Sequence, residues 1–231
     1  MIKTVIFDVD DTIYSFHAAN EAAAGQLALY TRDNFGWSKE EFLERQKNAM
    51  ADVKRFAGTS GGYRARILRY QNMLEAAGLR IFPHARIMSS IYQNALLENM
   101  VPEPGVEDWM RYLISRHIRI GIGSDATAMQ QILKLEKLGL LKYVDFMVTS
   151  EEAGVEKPDQ RFFERLNEKT ACLPGEVMFI GDNPKKDYAG AVNAGYNGVW
   201  YNPNKIISEL PMRELHHYSE APALLAELNL T

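Results

Sequence analysis

Short apolar segments alternate with amphipathic helical patterns along most of this chain. Five of them have the length and composition of buried strands: Thr4–Phe7, Ile118–Gly123, Val144–Thr149, Val177–Ile180 and Gly198–Trp200. Strands that alternate with helices predict parallel crossover units, in which helices cover both faces of one sheet. The sequence therefore predicts an α/β fold with a doubly wound parallel sheet.

Polar residues and glycine stand where the helices between these strands are expected to begin or end. Gly139 follows an apolar stripe and is placed to end that helix. Asp159 is placed to cap a helix over Arg161–Asn167, and Asn183 with Pro184 forms a typical helix start. The stripe before Gly139 recurs at helical spacing at Ala128, Ile132, Leu135 and Leu138.

Residues 17 to 100 interrupt this alternation. They contain four helical patterns and no convincing strand. The two prolines of Val101–Gly105 mark the exit from this segment, and Tyr14–His17 marks its entry. We therefore predict an α/β core of residues 1–14 and 101–231 with an inserted all-helical subdomain of residues 15–100. The four helical patterns run approximately over Ala18–Phe35, Lys39–Lys54, Tyr63–Ala77 and Ala85–Asn99.

Composition and charge argue against several classes of protein. The net charge of −4 gives no general positive field, which argues against nucleic acid or an anionic membrane as the partner. No apolar run approaches the roughly 20 residues that span a bilayer, and the N-terminal apolar run is too short for a signal peptide. Cys172 is the single cysteine, so an internal disulfide is excluded. We expect a cytoplasmic protein, and its sequence does not distinguish a monomer from a homodimer.

Three aspartates crowd behind the first predicted strand, in the sequence FDVDDT of residues 7 to 12. Asp8 and Asp10 are two residues apart, so in extended backbone their side chains face the same way, about 7 Å from each other. Two carboxylates that address one centre indicate a divalent cation, and Mg²⁺ prefers such hard oxygen ligands together with a substrate phosphate. An acidic turn that caps a strand is the alternative.

Two later strands are followed by a hydroxyl and by a lysine. Ser124, in GSDAT, can present its hydroxyl and neighbouring N–H groups to an anion, although plain helix capping is equally consistent with this motif. Lys157 precedes Pro158, which holds it ahead of the next helix. Its ammonium can neutralise a carboxylate and a phosphoryl oxygen there. A solvated surface lysine is the alternative.

The fourth predicted strand leads into GDNPKKD, residues 181 to 187. Gly181 permits a close approach of the backbone to a ligand. Asp182 can complete a metal site, with Asp187 as a ligand or as its orienting partner. Acidic residues that stabilise a helix dipole are the alternative. Four such motifs at the carboxyl ends of parallel strands, where ligands bind in these sheets, together predict one functional site.

These motifs, DVDDT, GIGS, EKP and GDNPKKD, resemble those of the haloacid dehalogenase superfamily of phosphotransferases. The resemblance covers residues 1–14 and about 101–205. The predicted helical insert is similar in position and size to the helical (C1-type) cap of that family. One departure is Asp125, which stands where asparagine often follows the motif serine, and its role stays open.

The resemblance implies a Mg²⁺-dependent phosphatase that works through an aspartyl-phosphate intermediate. Asp8 would be the nucleophile, and Asp10 would act as general acid and then as general base. The family's dehalogenases tend to lack the second aspartate, so Asp10 implies phosphoryl chemistry. The resemblance assigns phosphoryl contacts to Asp8, Ser124, Asp125 and Lys157, and the Mg²⁺ site to Asp8, Asp10 (through its carbonyl), Asp182 and Asp187.

The implied substrate is a small phosphorylated metabolite of the nucleotide 5′-monophosphate or sugar phosphate class. A phosphotransferase or mutase that passes the phosphoryl group to a sugar hydroxyl remains open. A non-enzymatic receiver-like module is disfavoured, because such modules lack both a large helical insert and an acid two positions after the nucleophile.

Substrate choice is expected to reside in the helical insert. The stretch RFAGTSGGYRAR of residues 55 to 66 offers Tyr63 for stacking, and Arg55 and Arg64 for a second anionic group. Phe16 and His17, at the entry to the insert, are further candidates. A glycine-rich connector with exposed arginines is the alternative.

Overall fold

The computed structural model describes residues 1–58, 61–208 and 211–230, which contain one six-stranded sheet. The strand order is β3-β2-β1-β4-β5-β6, and every neighbouring pair is parallel. The order reverses between β1 and β4, which is where α/β sheets of this kind bind ligands. The predicted doubly wound α/β fold is confirmed. The strands are β1 (Thr4–Phe7), β2 (Arg119–Ser124), β3 (Phe146–Thr149), β4 (Val177–Gly181), β5 (Asn197–Tyr201) and β6 (Glu214–Leu215).

The strand bounds differ from the predicted ones by one or two residues: β4 ends one residue later, and β5 is one residue longer at each end. β2 is shifted by one residue and includes Ser124 itself. β3 starts at Phe146 instead of Val144, because a 3₁₀ turn over Leu141–Tyr143 ends with the Val144 N–H bonded to the Leu141 carbonyl oxygen. The analysis of the sequence missed β6, which is only two residues long and leaves little periodicity to detect.

The chain divides into two compact units, Met1–Ser15 with Val101–Thr231, and Phe16–Met100. The boundary at the entry to the second unit lies one residue after the predicted one, and the boundary at its exit coincides with the predicted one. Within residues 16–58 and 61–100, the second unit contains helices and no strand. We call it the helical unit. Its helices are α1 (Phe16–Phe35), α2 (Lys39–Ala57), α3 (Gly61–Arg64), α4 (Arg66–Ala76) and α5 (His84–Glu98).

Local sequence explains where these helices begin and end. The Ser38 side chain accepts a hydrogen bond from the Glu41 N–H and caps α2. Gly58, with φ of 61°, follows the last turn. The predicted helix over Tyr63–Ala77 is instead two helices, because Ala65 has extended backbone with ψ of 99°. Packing of α1 on α5 and of α2 on α4 then buries the apolar faces.

The core unit carries the remaining helices. Asp159 accepts a hydrogen bond from the Arg161 N–H at 3.0 Å and caps α9, as predicted. Asn183 likewise caps the segment after β4, but this segment, Pro184–Ala189, is a wider π-helical turn. Gly139 follows α7 with φ of 71°. The core helices are α6 (Val106–Ser115), α7 (Ala128–Lys137), α8 (Ser150–Ala153), α9 (Gln160–Thr170), α10 (Gly190–Asn193) and α11 (Ala221–Leu230).

The two chain segments that lead into and out of the helical unit are joined within the core unit. Tyr14 and Pro102 form an antiparallel bridge, and the Glu103 N–H donates to the Ile13 carbonyl oxygen at 2.7 Å. Among the helices in the described parts of the chain, none has both the length and the apolarity that a bilayer crossing requires.

Candidate active site

Asp8 directly follows β1, and its side chain is buried. Its N–H donates to the carbonyl oxygen of Ile180 on β4 at 2.8 Å, which keeps the residue in line with the sheet. Asp11 then adopts left-handed backbone with φ of 57°, a conformation that aspartate tolerates, and the chain turns back. Asp8 is thereby fixed at the carboxyl edge of the sheet, where the strand order reverses.

Lys157 is buried against the Asp8 carboxylate. Its Nζ lies 2.7 Å from Asp8 Oδ1 and 2.6 Å from Asp187 Oδ1, and it donates to the Gly123 carbonyl oxygen at 2.8 Å. Burial alone would lower the pKa of Lys157, but the carboxylates of Asp187 and Asp8 raise it well above its ordinary value. The lysine therefore stays charged and ties two carboxylates together.

Asp182 and Asp187 come from the segment that follows β4. The Asp182 backbone carbonyl accepts a hydrogen bond from the Trp200 indole at 2.7 Å, which anchors it to β5. Asp187 is buried, and its Oδ2 accepts from the Asn183 N–H at 2.9 Å. A Cβ atom at Gly181 would clash with the Asp187 carboxylate. Gly181 therefore permits a close approach of the Asp187 side chain, and the approach of a ligand stays a prediction.

The carboxylates of Asp8, Asp182 and Asp187 offer oxygen atoms that all lie within 4.8 Å of one another. Burial raises the pKa of Asp8 to about 7, against the opposing effect of Lys157. Burial and the charges of Asp8 and Asp187 raise the pKa of Asp182 to about 8. The ammonium of Lys157 thus offsets only part of the negative charge. Three carboxylates with uncompensated charge, of which Asp8 and Asp187 are buried and Asp182 is partly buried, fit a hard divalent cation such as Mg²⁺.

Asp10 has a different set of partners. The Tyr14 hydroxyl and the Lys134 Nζ each lie 2.5 Å from Asp10 Oδ1, and Gln131 Nε2 lies 3.5 Å from Oδ2. The Asp10 side chain is 30% exposed, whereas Lys134 is buried. The Asp10 carboxylate is thus oriented by protein donors and is not part of the group formed by Asp8 and the other two aspartates. A metal contact from Asp10 would use its backbone carbonyl.

Ser124 and Asp125 follow each other at the end of β2. Ser124 is buried, and its Oγ accepts a hydrogen bond from Gln131 Nε2 at 2.7 Å. Asp125 Oδ1 accepts from the Lys157 N–H at 2.9 Å, and its Oδ2 lies 2.7 Å from Lys186 Nζ. Both carboxylate oxygens thus bind protein donors. Below, we propose a positioning role for Asp125 in place of the predicted phosphate contact.

The sequence analysis did not identify Gln131 or Lys134. Of the apolar stripe, Leu135 is buried, while Ile132 and Leu138 are partly exposed. Gln131 and Lys134, two polar residues three positions apart, lie with Leu135 on the buried face of the helix. This spacing beside the apolar stripe is the signal that could have identified them.

The candidates at the entry and in the loop of the helical unit differ in their exposure. The Arg55 side chain is 69% exposed and lies 3.4 Å from Asp52. His17 is exposed, Phe16 is partly buried, and their rings are 6.3 Å apart. Arg55 is therefore an exposed arginine that is already paired with an acidic side chain.

Tyr63 and Arg64 belong to the predicted recognition stretch of residues 55 to 66. Tyr63 is buried, and the Arg64 guanidinium carbon lies 5.0 Å from the centre of its ring. Thr59 and Ser60 of the same stretch lie outside the described residues.

One sequence family covers most of the chain. The family described as haloacid dehalogenase-like hydrolase matches residues 2–195, a range that contains every core residue of the site described above. The chain belongs to the haloacid dehalogenase-like hydrolases. The family resemblance carried by the four motifs is thereby confirmed.

Two curated relatives and one solved structure place the chain within these hydrolases. It is 30% identical over 207 residues to the ribulose-1,5-bisphosphate 5-phosphatase of Halopiger xanaduensis, covering 89% of this chain and 87% of the relative. It is 27% identical over 203 residues to the pyrimidine 5′-nucleotidase YjjG of Escherichia coli, covering 86% and 85%. Both relatives are named as enzymes that remove phosphate, which confirms the predicted enzyme class, a phosphatase of this family.

The solved structure is that of the 2-haloacid dehalogenase from Pseudomonas syringae. It superposes with a TM-score of 0.81 at 24% identity and covers 98% of this chain and 99% of that one. This likeness shows the fold, which haloacid dehalogenase-like hydrolases with different chemistry share.

Proposed function

We propose that this protein is a Mg²⁺-dependent phosphomonoesterase that acts on a small phosphorylated metabolite through an aspartyl-phosphate intermediate. The observation that carries the proposal is the pair of aspartates after β1, which have different partners. Asp8 is buried against Lys157, and Asp10 is held by Lys134 and Tyr14. Two carboxylates in different environments suit the separate tasks of nucleophile and general acid–base group.

Asp8 is the nucleophile in this proposal. Its carboxylate oxygen attacks phosphorus, a new Asp8 oxygen–phosphorus bond forms, and the bond from phosphorus to the leaving oxygen breaks. Lys157 holds the carboxylate in place and opposes the rise in its pKa that burial causes. Asp125 supports this arrangement by accepting a hydrogen bond from the Lys157 backbone and pairing with Lys186. A further carboxylate facing the phosphoryl group would repel it, so we assign Asp125 to positioning Lys157.

Asp10 exchanges the proton. In the first step it protonates the leaving oxygen, and in the second it removes a proton from the water that hydrolyses the acyl phosphate. The strong donors Lys134 and Tyr14 both bind Oδ1, so we assign the proton transfer to Oδ2. Its partial exposure is consistent with access for water. The second aspartate is also the feature that favours phosphoryl chemistry over dehalogenation.

Ser124 and the acidic cluster complete the site. The Ser124 hydroxyl, oriented by Gln131, is placed to donate to a phosphoryl oxygen. Asp8, Asp182 and the Asp10 carbonyl would hold Mg²⁺, with Asp187 as their buried partner. When bound, this cation neutralises the charge of the carboxylates and of the phosphoryl group.

The substrate class is inferred from the relatives. Their names specify a sugar bisphosphate and pyrimidine nucleotides. We infer a small sugar phosphate or nucleotide as the substrate of this chain, with the phosphoryl group passing to water. Transfer to a sugar hydroxyl is the alternative outcome of the test.

The test measures phosphate release with Mg²⁺ and after chelation. The panel contains ribulose 1,5-bisphosphate, ribulose 5-phosphate, glyceraldehyde 3-phosphate, uridine 5′-monophosphate and p-nitrophenyl phosphate. We expect Mg²⁺-dependent release that Asp8→Asn reduces by on the order of 10³-fold or more. Asp11→Asn, a neighbouring aspartate outside the cluster, is the matched control and is expected to retain activity. Transfer of phosphate to a sugar without its release would favour a transferase, and activity that survives Asp8→Asn would refute the mechanism.

A further inference from the structure

One glutamine side chain of the core unit contacts two groups that have different tasks in the proposed mechanism. Gln131 lies on the buried face of α7 and is itself fully buried. Its Nε2 donates to Ser124 Oγ at 2.7 Å and lies 3.5 Å from Asp10 Oδ2. Its Oε1 is also buried, and no donor among the described residues binds it. A buried acceptor without a donor costs free energy and is rare in folded proteins, so the placement of this amide requires an explanation.

The carboxylate of Asp10 determines which end of the Gln131 amide faces Ser124. A carboxylate oxygen attracts the N–H groups of an amide and repels the amide oxygen. If the amide were turned over, Oε1 would lie beside Asp10 Oδ2 as well as beside the Ser124 hydroxyl. The other oxygen of Asp10 is already held by Tyr14 and Lys134. The amide nitrogen therefore faces both groups, and the amide oxygen is left without a partner.

This orientation of the amide leaves the Ser124 hydroxyl with a defined use. A serine hydroxyl has one proton to donate, and its oxygen can accept hydrogen bonds at the same time. Because Gln131 approaches the Ser124 oxygen as a donor, it does not take up the hydroxyl proton. That proton remains for an acceptor at the carboxyl edge of the sheet, which in the proposed mechanism is a phosphoryl oxygen. An amide oxygen in the same place would instead accept the proton.

We propose that Gln131 is a positioning residue that keeps the Ser124 hydroxyl a hydrogen-bond donor to the phosphoryl group, while Asp10 holds the Gln131 amide in the orientation that this requires. Gln131 acts through Ser124. The Oε1 atom without a partner is the consequence of an amide that is oriented for Ser124 and not for its own stability. This inference rests on the proposed function and adds a residue of α7 to its machinery.

A double-mutant cycle separates this role from a role in packing. Gln131→Met keeps an unbranched side chain and removes both polar ends of the amide. For the substrate of highest activity, kcat/KM is expected to fall about 10-fold when Ser124 is present, and less than about twofold when Ser124→Ala is already in place. An equal fall in the two backgrounds, or no fall when Ser124 is present, would overturn the inference.

Thermal unfolding supplies a second readout of the same variants. Because Gln131→Met removes a buried acceptor that has no donor, its Tm is expected to stay within about 2 °C of the wild type. The matched control is Gln130→Met, which changes the neighbouring, partly exposed glutamine and is expected to leave kcat/KM and Tm unchanged. A Tm lowered by more than about 5 °C, together with equal falls of kcat/KM in both backgrounds, would show that Gln131 is a packing residue. Gln131→Leu enters the same cycle if Gln131→Met does not fold.

Binding of inorganic phosphate repeats the cycle without turnover. Calorimetry in the presence of Mg²⁺ measures the Kd of phosphate for the wild type, both single variants and the double variant. The Kd is expected to rise about 3- to 10-fold in Gln131→Met, and to agree within about twofold between Ser124→Ala and the double variant. If the wild type releases phosphate from no substrate of the panel, the proposed function fails, and this measurement alone decides the role of Gln131. A wild type that binds no phosphate, or a Gln131→Met variant that binds it equally well, would overturn the inference.

Discussion

The core unit and the helical unit both bury positive charge, but they compensate it differently. In the core, Lys157 is paired with Asp8 and Asp187, and Lys134 with Asp10. In the helical unit, Arg66 and Arg69 are placed against aromatic rings. Compensated charges are held in fixed positions before any ligand binds, which suits residues that carry out chemistry. Charges placed against ring faces are compensated only in part.

Among the substitutions that test this comparison, removal of Lys157 is expected to have the largest effect on activity and stability. Lys157→Met leaves the carboxylates of Asp8 and Asp187 buried without their shared cation. We expect an activity loss on the order of 10³-fold and a decrease of about 3–5 kcal/mol in the free energy of unfolding. Phosphate release and urea unfolding measure the two effects. Lys186→Met, at a more exposed ion pair, is the control with a smaller expected loss. Wild-type stability in Lys157→Met would mean that the core charges are not coupled as described.

Lys134→Met tests whether Asp10 depends on its buried partner. We expect kcat to fall about 10- to 100-fold because the carboxylate loses its orientation, while KM changes little. Steady-state kinetics on the substrate of highest activity provide the measurement. Lys137→Met, on the exposed side of the same helix, controls for charge removal from α7. Similar losses in both variants would argue against a specific role for Lys134.

The pH dependence of stability reports on the carboxylates of the core. In the chelator-treated protein, the pKa values of Asp8 and Asp182 are raised to about 7 and about 8, against roughly 3.9 in the unfolded chain. Between these values the folded state binds more protons than the unfolded state, so the free energy of unfolding falls as pH rises. We expect a decrease of a few kcal/mol from pH 5 to pH 8, seen as a lower Tm.

Two comparisons isolate this effect from the other titrating groups. Mg²⁺ should offset the repulsion between the carboxylates, so the stabilisation by Mg²⁺ is expected to grow from pH 5 to pH 8. Asp182→Asn should flatten the decrease measured after chelation. A decrease that is the same in wild type and Asp182→Asn would mean that other residues cause it.

Gly181→Ala has the smallest expected effect. The added methyl group would clash with the Asp187 carboxylate, and overpacking of this kind costs about 1–2 kcal/mol. Thermal unfolding measures the stability, and phosphate release shows whether displacing Asp187 also impairs activity. Gly175→Ala is the matched control, since its new methyl group would meet nothing within 4 Å. Equal stability of the two variants would contradict the packing described for Gly181.

Local sequence was sufficient to locate five of the six strands of the described sheet to within two residues, and so to predict the fold. Apolar runs followed by polar residues identify β1, β2 and β4, and parallel strands bring the residues after them to one edge of the sheet. Asp8 and Lys157, 149 positions apart in the chain, are in contact for this reason. The sequence predicted the partners of individual side chains less well, because these partners depend on how each helix is rotated about its axis.

Lys134 and Arg69 illustrate this limit. Both are long charged residues on amphipathic helices, where solvent exposure is the usual outcome. Their burial follows from contacts with Asp10 and with Tyr63, which are distant in sequence or lie in another helix. Arg55 and Arg64 were selected from their proximity to glycines, a feature that does not report burial. A composition-based choice among arginines therefore missed Arg69, the buried arginine.

The bridge between Tyr14 and Pro102 has a consequence for how such an enzyme can diversify. The chain enters and leaves the helical unit at two points that backbone hydrogen bonds already join. Closing a loop between joined ends costs little more as the loop grows, so inserts of different length and sequence are compatible with the same sheet. Residues 16–100 can thus be exchanged as a module while the strand ends that bear Asp8 and Asp182 stay in place.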